Sequence, residues 1–353
     1  MSRVQTITVG PGDGDQRLDR WLKRHFPHLQ QGRIEKMCRK GELRVDGGRC
    51  KAATRLEVGQ QVRVPPLPEP DEAAAAAAAA KPRQPKVSDA DAKMIRDAVI
   101  YRDDHIIALN KPPGLPVQGG SKQERHVDGL SEALRFDYDE KPRLVHRLDK
   151  DTSGVLLLAR TREIAQALTA AIRHKQTRKI YWAVVAGVPT PYLGEIRYGL
   201  VKAPGHGKSG EGEKMICVHP REMDRTPGAK RAHTLYATLY RVAGRASWVA
   251  LEPITGRTHQ LRAHMAEIGH PIIGDGKYGG SGQENLGDGW GAQLGGVISK
   301  KLHLHARSMT FLHPVTKKPV TVTASLPTHM AHTWETLGWA EDIAADDPFA
   351  ELH

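Results

Sequence analysis

Between His146 and Ser153 the chain places His146, Arg147, Asp149, Lys150, Asp151, Thr152 and Ser153 within eight positions, then turns on Gly154 into the apolar run Val155 to Ala159. Carboxylates, cations, an imidazole and hydroxyls at the mouth of a buried strand form a reactive set, because loops held by a rigid scaffold are where functional side chains concentrate. Such a knot has two readings. In one it is a charged turn, with Asp149 and Asp151 solvated and Thr152-Ser153-Gly154 supplying turn chemistry. In the other a carboxylate is a nucleophile or an acid/base group, since neighbouring cations favour the charged form. An aspartate-nucleophile phosphatase would need an apolar strand before the first Asp and Thr or Val four positions after it. Here a basic segment precedes Asp149 and the fourth residue on is Ser153, so that reading fails.

Other polar groups stand in separate clusters. Tyr181 lies in Lys179-Ile180-Tyr181-Trp182-Ala183-Val184-Val185-Ala186-Gly187, which reads as a strand, where a tyrosine's ordinary role is a core aromatic. Thr255-Gly256-Arg257-Thr258-His259-Gln260-Leu261-Arg262-Ala263-His264-Met265 reads as a turn into a helix, with Thr258 at the N-cap and Gly269 past the C-terminus. His259 and His264 are five apart, wrong for the i, i+4 pair that grips zinc on one helical face, so they are read as structural or hydrogen-bonding groups. Gly207-Lys208-Ser209 would need a glycine at position 202 to cradle phosphates; Lys202 stands there, and nucleotide binding is rejected. His303, His305 and His313 sit among apolar neighbours with strand alternation and are read as core or nucleic-acid-facing histidines rather than metal ligands.

The elements that must position these groups follow from the periodicity. Leu18, Trp21 and Leu22 fall at i, i+3, i+4, one face of a helix. A second helix from Gln31 turns Ile34, Met37 and Cys38 inward and leaves Arg33, Lys36, Arg39 and Lys40 outside. An Asp46-Gly47 turn and a strand at Gln61 to Val64 complete a small hairpin-bearing module. Eight alanines, Ala73 to Ala80, between Pro-rich flanks read as a linker. Beyond it, Ile106, Ile107 and Leu109 read as a strand before the Lys111-Pro112-Pro113-Gly114 turn, and a helix is expected around Asp128 to Phe136. Ile164, Leu168, Ala171 and Ile172 share a face of a helix over Thr161 to His174, and His233 to Tyr240 with Ser247 to Leu251 forms a hairpin-like pair. Leu200 to Arg231 is expected to be irregular, Gly280 to Lys300 a surface loop, and the acidic tail from Glu341 to fray.

With 353 residues the chain is long enough for two or three domains. Lys and Arg outnumber Asp and Glu by 52 to 40, an excess of +12 that points to an acidic partner, nucleic acid first. Cys38, Cys50 and Cys217 form neither a disulfide framework nor a CxxC, as in a reducing cytosol, and no apolar window approaches the roughly 18 residues that span a bilayer. A soluble, cytoplasmic protein without cofactor or metal is expected.

His146-Arg147-Leu148-Asp149-Lys150-Asp151-Thr152-Ser153-Gly154 followed by VLLLA resembles the signature of the RluA-type pseudouridine synthases. The K-x-Y-x-A-x-V-x-G strand and TGRTHQLRAH follow in the family's order, and GHPIIGD, LHLHA and FLHP echo its later stretches; Val117-Gln118-Gly119-Gly120-Ser121 is similar to the RluC-like members. Asp15 to Val64 resembles an S4 RNA-binding domain, with RLD, a basic second helix and Gly41-Glu42-Leu43-Arg44-Val45-Asp46-Gly47.

The resemblance implies an α+β protein. An S4 domain (13–66) and a Pro/Ala-rich linker (67–92) would precede a catalytic domain (93–330) with a mixed, mostly antiparallel sheet and a central cleft, and a C-terminal helix and acidic tail (331–353) would close the chain. It implies a catalytic set of Asp149, Tyr181 and Arg262: Asp149 acts at C1′ or C2′ of the ribose, Arg262 pairs with it, and Tyr181 lies against the base and assists proton removal at the rebuilt carbon, while Leu261 lines the base pocket and Arg147 enters the space vacated by a flipped nucleotide. The implied substrate is large-subunit ribosomal RNA, with transfer RNA or a non-catalytic ribosome-assembly role as the alternatives, and the implied state is a monomer. Arg33, Lys36, Arg39, Lys40 and Arg44 are expected to meet phosphates. Replacing Arg33 and Lys36 together by alanine should therefore weaken RNA binding and lower the slope of log affinity against log salt by about 1–2. An unchanged slope in a salt titration would remove that helix face from the interface.

Overall fold

Leu18, Trp21 and Leu22, spaced for a helix, are fully buried with Ile34, Met37, Leu43 and Leu56 in one apolar cluster. Around it fold β1 (Gln5–Thr8), α1 (Leu18–His25), α2 (Gln31–Lys40), β2 (Arg44–Val45), β3 (Gly48–Arg49) and β4 (Gln61–Val64), the strands in the order β1-β4-β2-β3. α2 stops at Gly41, whose left-handed backbone (φ 73°) lets its N–H reach the carbonyls of Met37 and Cys38. Asp46 (φ 49°) and Gly47 (φ 77°) form the two-residue turn between β2 and β3 that demands two positive φ values.

The computed structural model describes residues 4–67, 87–119, 125–203, 214–279, 298–344 and 347–352. The chain divides into two units, Met1–Pro85 and Lys86–His353. The alanine run, the Gly207-Lys208-Ser209 segment, Gly120-Ser121 and most of the expected 280–300 loop lie outside the described residues.

The second unit opens with α3 (Asp89–Asp97), which starts inside the expected linker because Ser88 caps it, its side chain accepting the Asp91 N–H. Then follow β5 (Val99–Arg102), β6 (Ile106–Lys111), the single turn α4 (Val127–Leu130), β7 (Arg143–Leu144), β8 (Ser153–Ala159), α5 (Arg162–Arg173), β9 (Thr177–Ala186), β10 (Leu193–Ile196), β11 (Gly199–Lys202), β12 (Met215–Val218), β13 (Thr234–Val242), β14 (Ala246–Pro253), α6 (Gln260–Glu267), β15 (Leu304–Leu312), β16 (Pro319–Thr323) and α7 (Thr328–Leu337). The main sheet runs β10-β13-β14-β9-β15-β8-β6-β5, with β16 on β15 and β7 on β8. Every pairing in it is antiparallel except β8 with β15. The fold is therefore α+β with a mixed, mostly antiparallel sheet.

Three expectations need correction. The helix around Asp128 to Phe136 is one α-turn running into a 3-10 turn at Ser131–Leu134, for Gly129 sits in its middle and weakens the helix. Leu200 to Arg231 contains the hairpin β11/β12, whose apolar residues are too few and too interrupted to stand out in the sequence. The acidic tail does not fray within the described residues: Phe349 is fully buried with Trp182, Trp248, Trp334 and Trp339, and Asp347 holds Arg178 through two contacts of 2.6 Å.

β8 is buried along its whole length, which accounts for an unbroken apolar run rather than an alternating one. Its pairing with β15 forces Gly154 to φ 107°, with a Cβ there only 2.2 Å from the Ala306 carbonyl oxygen. Gly154→Ala is expected to cost more than about 3 kcal/mol, since backbone must move. Gly228→Ala, where φ is 82° and nothing lies within 4 Å, should cost only the roughly 1–2 kcal/mol of a left-handed backbone. Chemical denaturation of both variants checks this, and equal losses would show that backbone strain rather than contact with β15 fixes the glycine.

Candidate active site

Four contacts tie down the loop between β7 and β8. The N–H of Leu157 donates to His146 Nε2 (3.0 Å), and the Gly114 N–H donates to the Lys150 carbonyl (3.0 Å). Thr152 N–H closes back on the Asp149 carbonyl (3.2 Å), and Ser153 Oγ lies 2.9 Å from His305 Nδ1. Burial, helped by the charge of Lys179, pushes His146 down to about 3, so its ring is neutral and can accept. Beneath the loop the fully buried Lys111 spends its amine on three carbonyls, those of Pro112, Leu115 and Lys150, each at 2.9 Å. Burial pulls that amine down to about 7 against the pull of Asp151 and Asp149, and three acceptors in place favour the form with three N–H donors.

Held in this way, Asp149 presents its carboxylate to α6, where Arg262 Nη1 reaches Oδ2 at 3.4 Å and His259 Nε2 stands 3.9 Å from the same oxygen. α6 itself is placed by Gln260, which is buried. Its Oε1 accepts from Thr255 Oγ1 and the Arg257 N–H, while its Nε2 donates to the His233 carbonyl and to Thr234 Oγ1. The helix cap departs from expectation: the N-cap is His259 in a left-handed conformation (φ 51°) with no side-chain cap, not Thr258. A Thr258 cap would have accepted the N–H of Gln260 or Leu261; the Gln260 N–H instead donates to the Arg257 carbonyl at 3.1 Å.

Asp149, Tyr181, Leu261 and Arg262 line one cleft of about 1060 Å³, with Arg147 at its exposed rim and Arg178 and Arg257 further along the wall. Burial, and then the Asp149 charge, push the Tyr181 phenol well above its ordinary range, so it stays protonated. A carboxylate, a guanidinium and an aromatic face around a basic opening suit a general-base or nucleophilic step beside a flat base of a polyanion. The expected phosphate-binding residues, Arg33, Lys36, Arg39, Lys40 and Arg44, belong to the other unit and are all exposed. Arg44 donates to the Gly41 and Gly47 carbonyls and Lys40 lies 3.8 Å from Glu42.

His303 and His305 are buried in β15 or beside it and bonded on both ring nitrogens, to Lys301 O and Thr333 Oγ1 and to Ser153 Oγ and Ala324 O. Among the described residues no group of three or more His, Cys, Asp or Glu is placed to hold a metal ion.

The model of the RNA pseudouridylate synthase family matches residues 105–267, and that of the S4 domain matches residues 16–62. The chain is 33% identical to the ribosomal large subunit pseudouridine synthase C of Vibrio cholerae, over 93% of this chain and 95% of that one. It is 32% identical to the Salmonella typhi protein of the same name, over 95% and 97%. Among solved structures, Human RNA Pseudouridylate Synthase Domain Containing 4 superposes with a TM-score of 0.56 at 29% identity, covering 70% of this chain and 95% of that one.

Asp149, Tyr181 and Arg262 fall inside the matched span; Asp275 falls beyond it. Yet Asp275 is the strongest partner Arg262 has, accepting from Nε at 2.7 Å and Nη2 at 2.8 Å while also taking the N–H groups of Lys277 and Tyr278. Sequence reasoning passed over it, as it passed over Lys111, which looks like a solvated lysine before a turn. Nothing in the spacing GHPIIGD says that its last carboxylate folds back onto α6. Burial alone would raise the Asp275 carboxyl; the hydrogen bonds and charge of Arg262, then the two amides, hold it below the ordinary carboxylate range. A depressed carboxyl contributes stability above the unfolded value and loses it as pH falls through the folded one. Asp275→Asn should therefore destabilise the protein at pH 7 by about 3 kcal/mol, leaving a buried guanidinium underpaired. The gap to the parent should narrow in melts taken below about pH 4, and a gap independent of pH would contradict the charged pairing.

Proposed function

Because the chain belongs to the RNA pseudouridylate synthase family and carries an S4 domain, we propose that it isomerises uridines of large-subunit ribosomal RNA to pseudouridine, with Asp149 as the reacting group. The observation that carries the assignment of residues is the Asp149 carboxylate, 3.4 Å from a buried arginine and in one cleft with an unionised tyrosine. The choice of RNA rests on the names of relatives that share a third of their residues with nearly the whole of this chain.

In the isomerisation the N1–C1′ bond breaks, the uracil turns, C5 bonds to C1′, and the proton C5 loses is matched by one gained at N1. Attack by a carboxylate at C1′ and abstraction of the C2′ proton both require Asp149 ionised and held still while the base moves. Arg262 supplies the counter-charge and fixes the rotamer. Tyr181 and Leu261 offer the flat and apolar walls against which a uracil turns. Burial and the Asp149 charge keep the phenol protonated, so the tyrosine meets the uracil as a neutral ring at neutral pH. A stacked uridine cannot reach this cleft, so it must be flipped, at a cost of a few kcal/mol. The exposed, planar guanidinium of Arg147 at the rim is suited to stack in the gap.

Arg33, Lys36, Arg39, Lys40 and Arg44 would add salt-sensitive phosphate contacts from the S4 unit. The groups named come from one chain, so a monomer suffices. Among the described residues no helix is long and apolar enough to cross a membrane, and we place the enzyme in the cytoplasm.

The test is pseudouridine mapping on transcripts of large-subunit ribosomal RNA and of transfer RNA incubated with the purified protein. Modification of the ribosomal transcript is expected, and modification of transfer RNA alone would overturn the substrate. Asp149→Asn should slow turnover by roughly three orders of magnitude or more while RNA affinity changes little; turnover near the parent rate would remove the residue from the chemistry.

A further inference from the structure

His259 is the one residue of the α6 turn whose backbone is strained and whose ring faces the reacting carboxylate. Its φ of 51° places a β-carbon-bearing residue in the left-handed region, a conformation that persists only where surrounding contacts impose it. One such contact is Tyr278, whose hydroxyl lies 3.0 Å from His259 Nδ1 with the rings edge to face. The phenol oxygen already accepts the Met215 N–H at 2.8 Å, and burial first among several influences pushes its proton affinity up to about 12. The hydroxyl proton is therefore retained and has His259 Nδ1 as its acceptor. An imidazole that accepts at Nδ1 and is neutral carries its own proton on Nε2. Burial, with the charges of Arg262 and Lys277, lowers the affinity of the ring for a second proton against the pull of Asp149 and Asp275.

We propose that His259 is a positioning residue for the isomerisation: its Nε2–H, oriented by Tyr278, joins Arg262 on oxygen Oδ2 of Asp149 and leaves Oδ1 to meet the ribose. The proposal rests on Asp149 being the reacting group. Arg262 Nη1 and His259 Nε2 address the same oxygen, at 3.4 and 3.9 Å. The second distance is about one ångström longer than a hydrogen bond, a gap of the kind that closes when substrate fills a cleft. Two donors on one oxygen stop the carboxylate from rotating about its Cβ–Cγ bond, so the same oxygen is offered at each turnover.

The experiment measures tritium released from C5-labelled uridine in a ribosomal RNA transcript, under single turnover with enzyme saturating, together with RNA affinity, for His259→Asn, His259→Gln, Tyr278→Phe and Asp149→Asn. Asparagine tolerates the left-handed backbone but cannot place an N–H at the Nε2 position, and its rate should fall roughly 10- to 100-fold with RNA affinity unchanged. Glutamine can place one there and should recover the rate to within about fivefold. Tyr278→Phe removes only the hydroxyl that selects the tautomer and should lose about 3- to 10-fold; it is the deciding variant should His259→Asn not fold. Parent-like rates in His259→Asn or in Tyr278→Phe, equal losses in His259→Asn and His259→Gln, or a loss lying wholly in RNA affinity would each overturn the proposal. Activity retained by Asp149→Asn would instead overturn the reading on which it stands, whatever the histidine variants do.

Discussion

One guanidinium, buried between two carboxylates, organises the site. Arg262 is 7% exposed, and a charge withdrawn from water to that degree is tolerable only with its N–H groups matched. Asp275 takes Nε and Nη2 in a bidentate pair and is itself buried; Nη1 is left pointing at Asp149, whose side chain is 24% exposed. The division of labour is physical. A bidentate pair fixes the plane of the guanidinium, so the third nitrogen has a defined direction before any substrate arrives. Asp149 need not hold the arginine in place and remains open to the cleft.

The sheet supplies the matching constraint on the acidic side. β8 and β15 meet in parallel, the one such pairing in the sheet among the described residues, at His305 with Ser153 and Ala306 with Gly154. Because Gly154 has no Cβ, the two backbones approach closely enough to set where the Asp149 loop leaves the sheet. Lys111, at the end of β6, then anchors the loop from below through the Lys150 carbonyl. The loop is thus bounded by backbone contacts on three sides, and what remains free in it is the set of side chains that face the cleft. Preorganised groups of this kind need not rearrange as charge develops, which is where an enzyme gains most.

Several elements are explained by partners far away in sequence rather than by their own composition. The acidic tail reads as solvated until Phe349 is seen among four tryptophans and Asp347 on Arg178. The partners of His303, His305 and His264 are likewise distant: burial pushes each down to about 4, and backbone carbonyls and hydroxyls occupy their nitrogens. The Thr258 cap was a sound expectation from local rules, and it yielded where the buried Gln260 side chain is drawn onto Thr255, Arg257, His233 and Thr234 and the helix starts one residue later, after His259.

From the order of residues alone came the helices carrying Leu18, Trp21 and Leu22 or Ile164 and Leu168, the continuous buried strand after Gly154, the turn at Asp46-Gly47, and the grouping of Asp149, Tyr181 and Arg262 through family motifs. Those features are written in periodicity, turn chemistry and motif spacing, all of them local. The pairing of Arg262 with Asp275 as well as Asp149, the burial of Lys111 under the loop, the placement of His259 between Tyr278 and Asp149 and the docking of the tail were decided by the tertiary structure. Each depends on groups that meet across tens or hundreds of positions, and on whether water is excluded where they meet, and neither quantity is encoded in any short window of sequence.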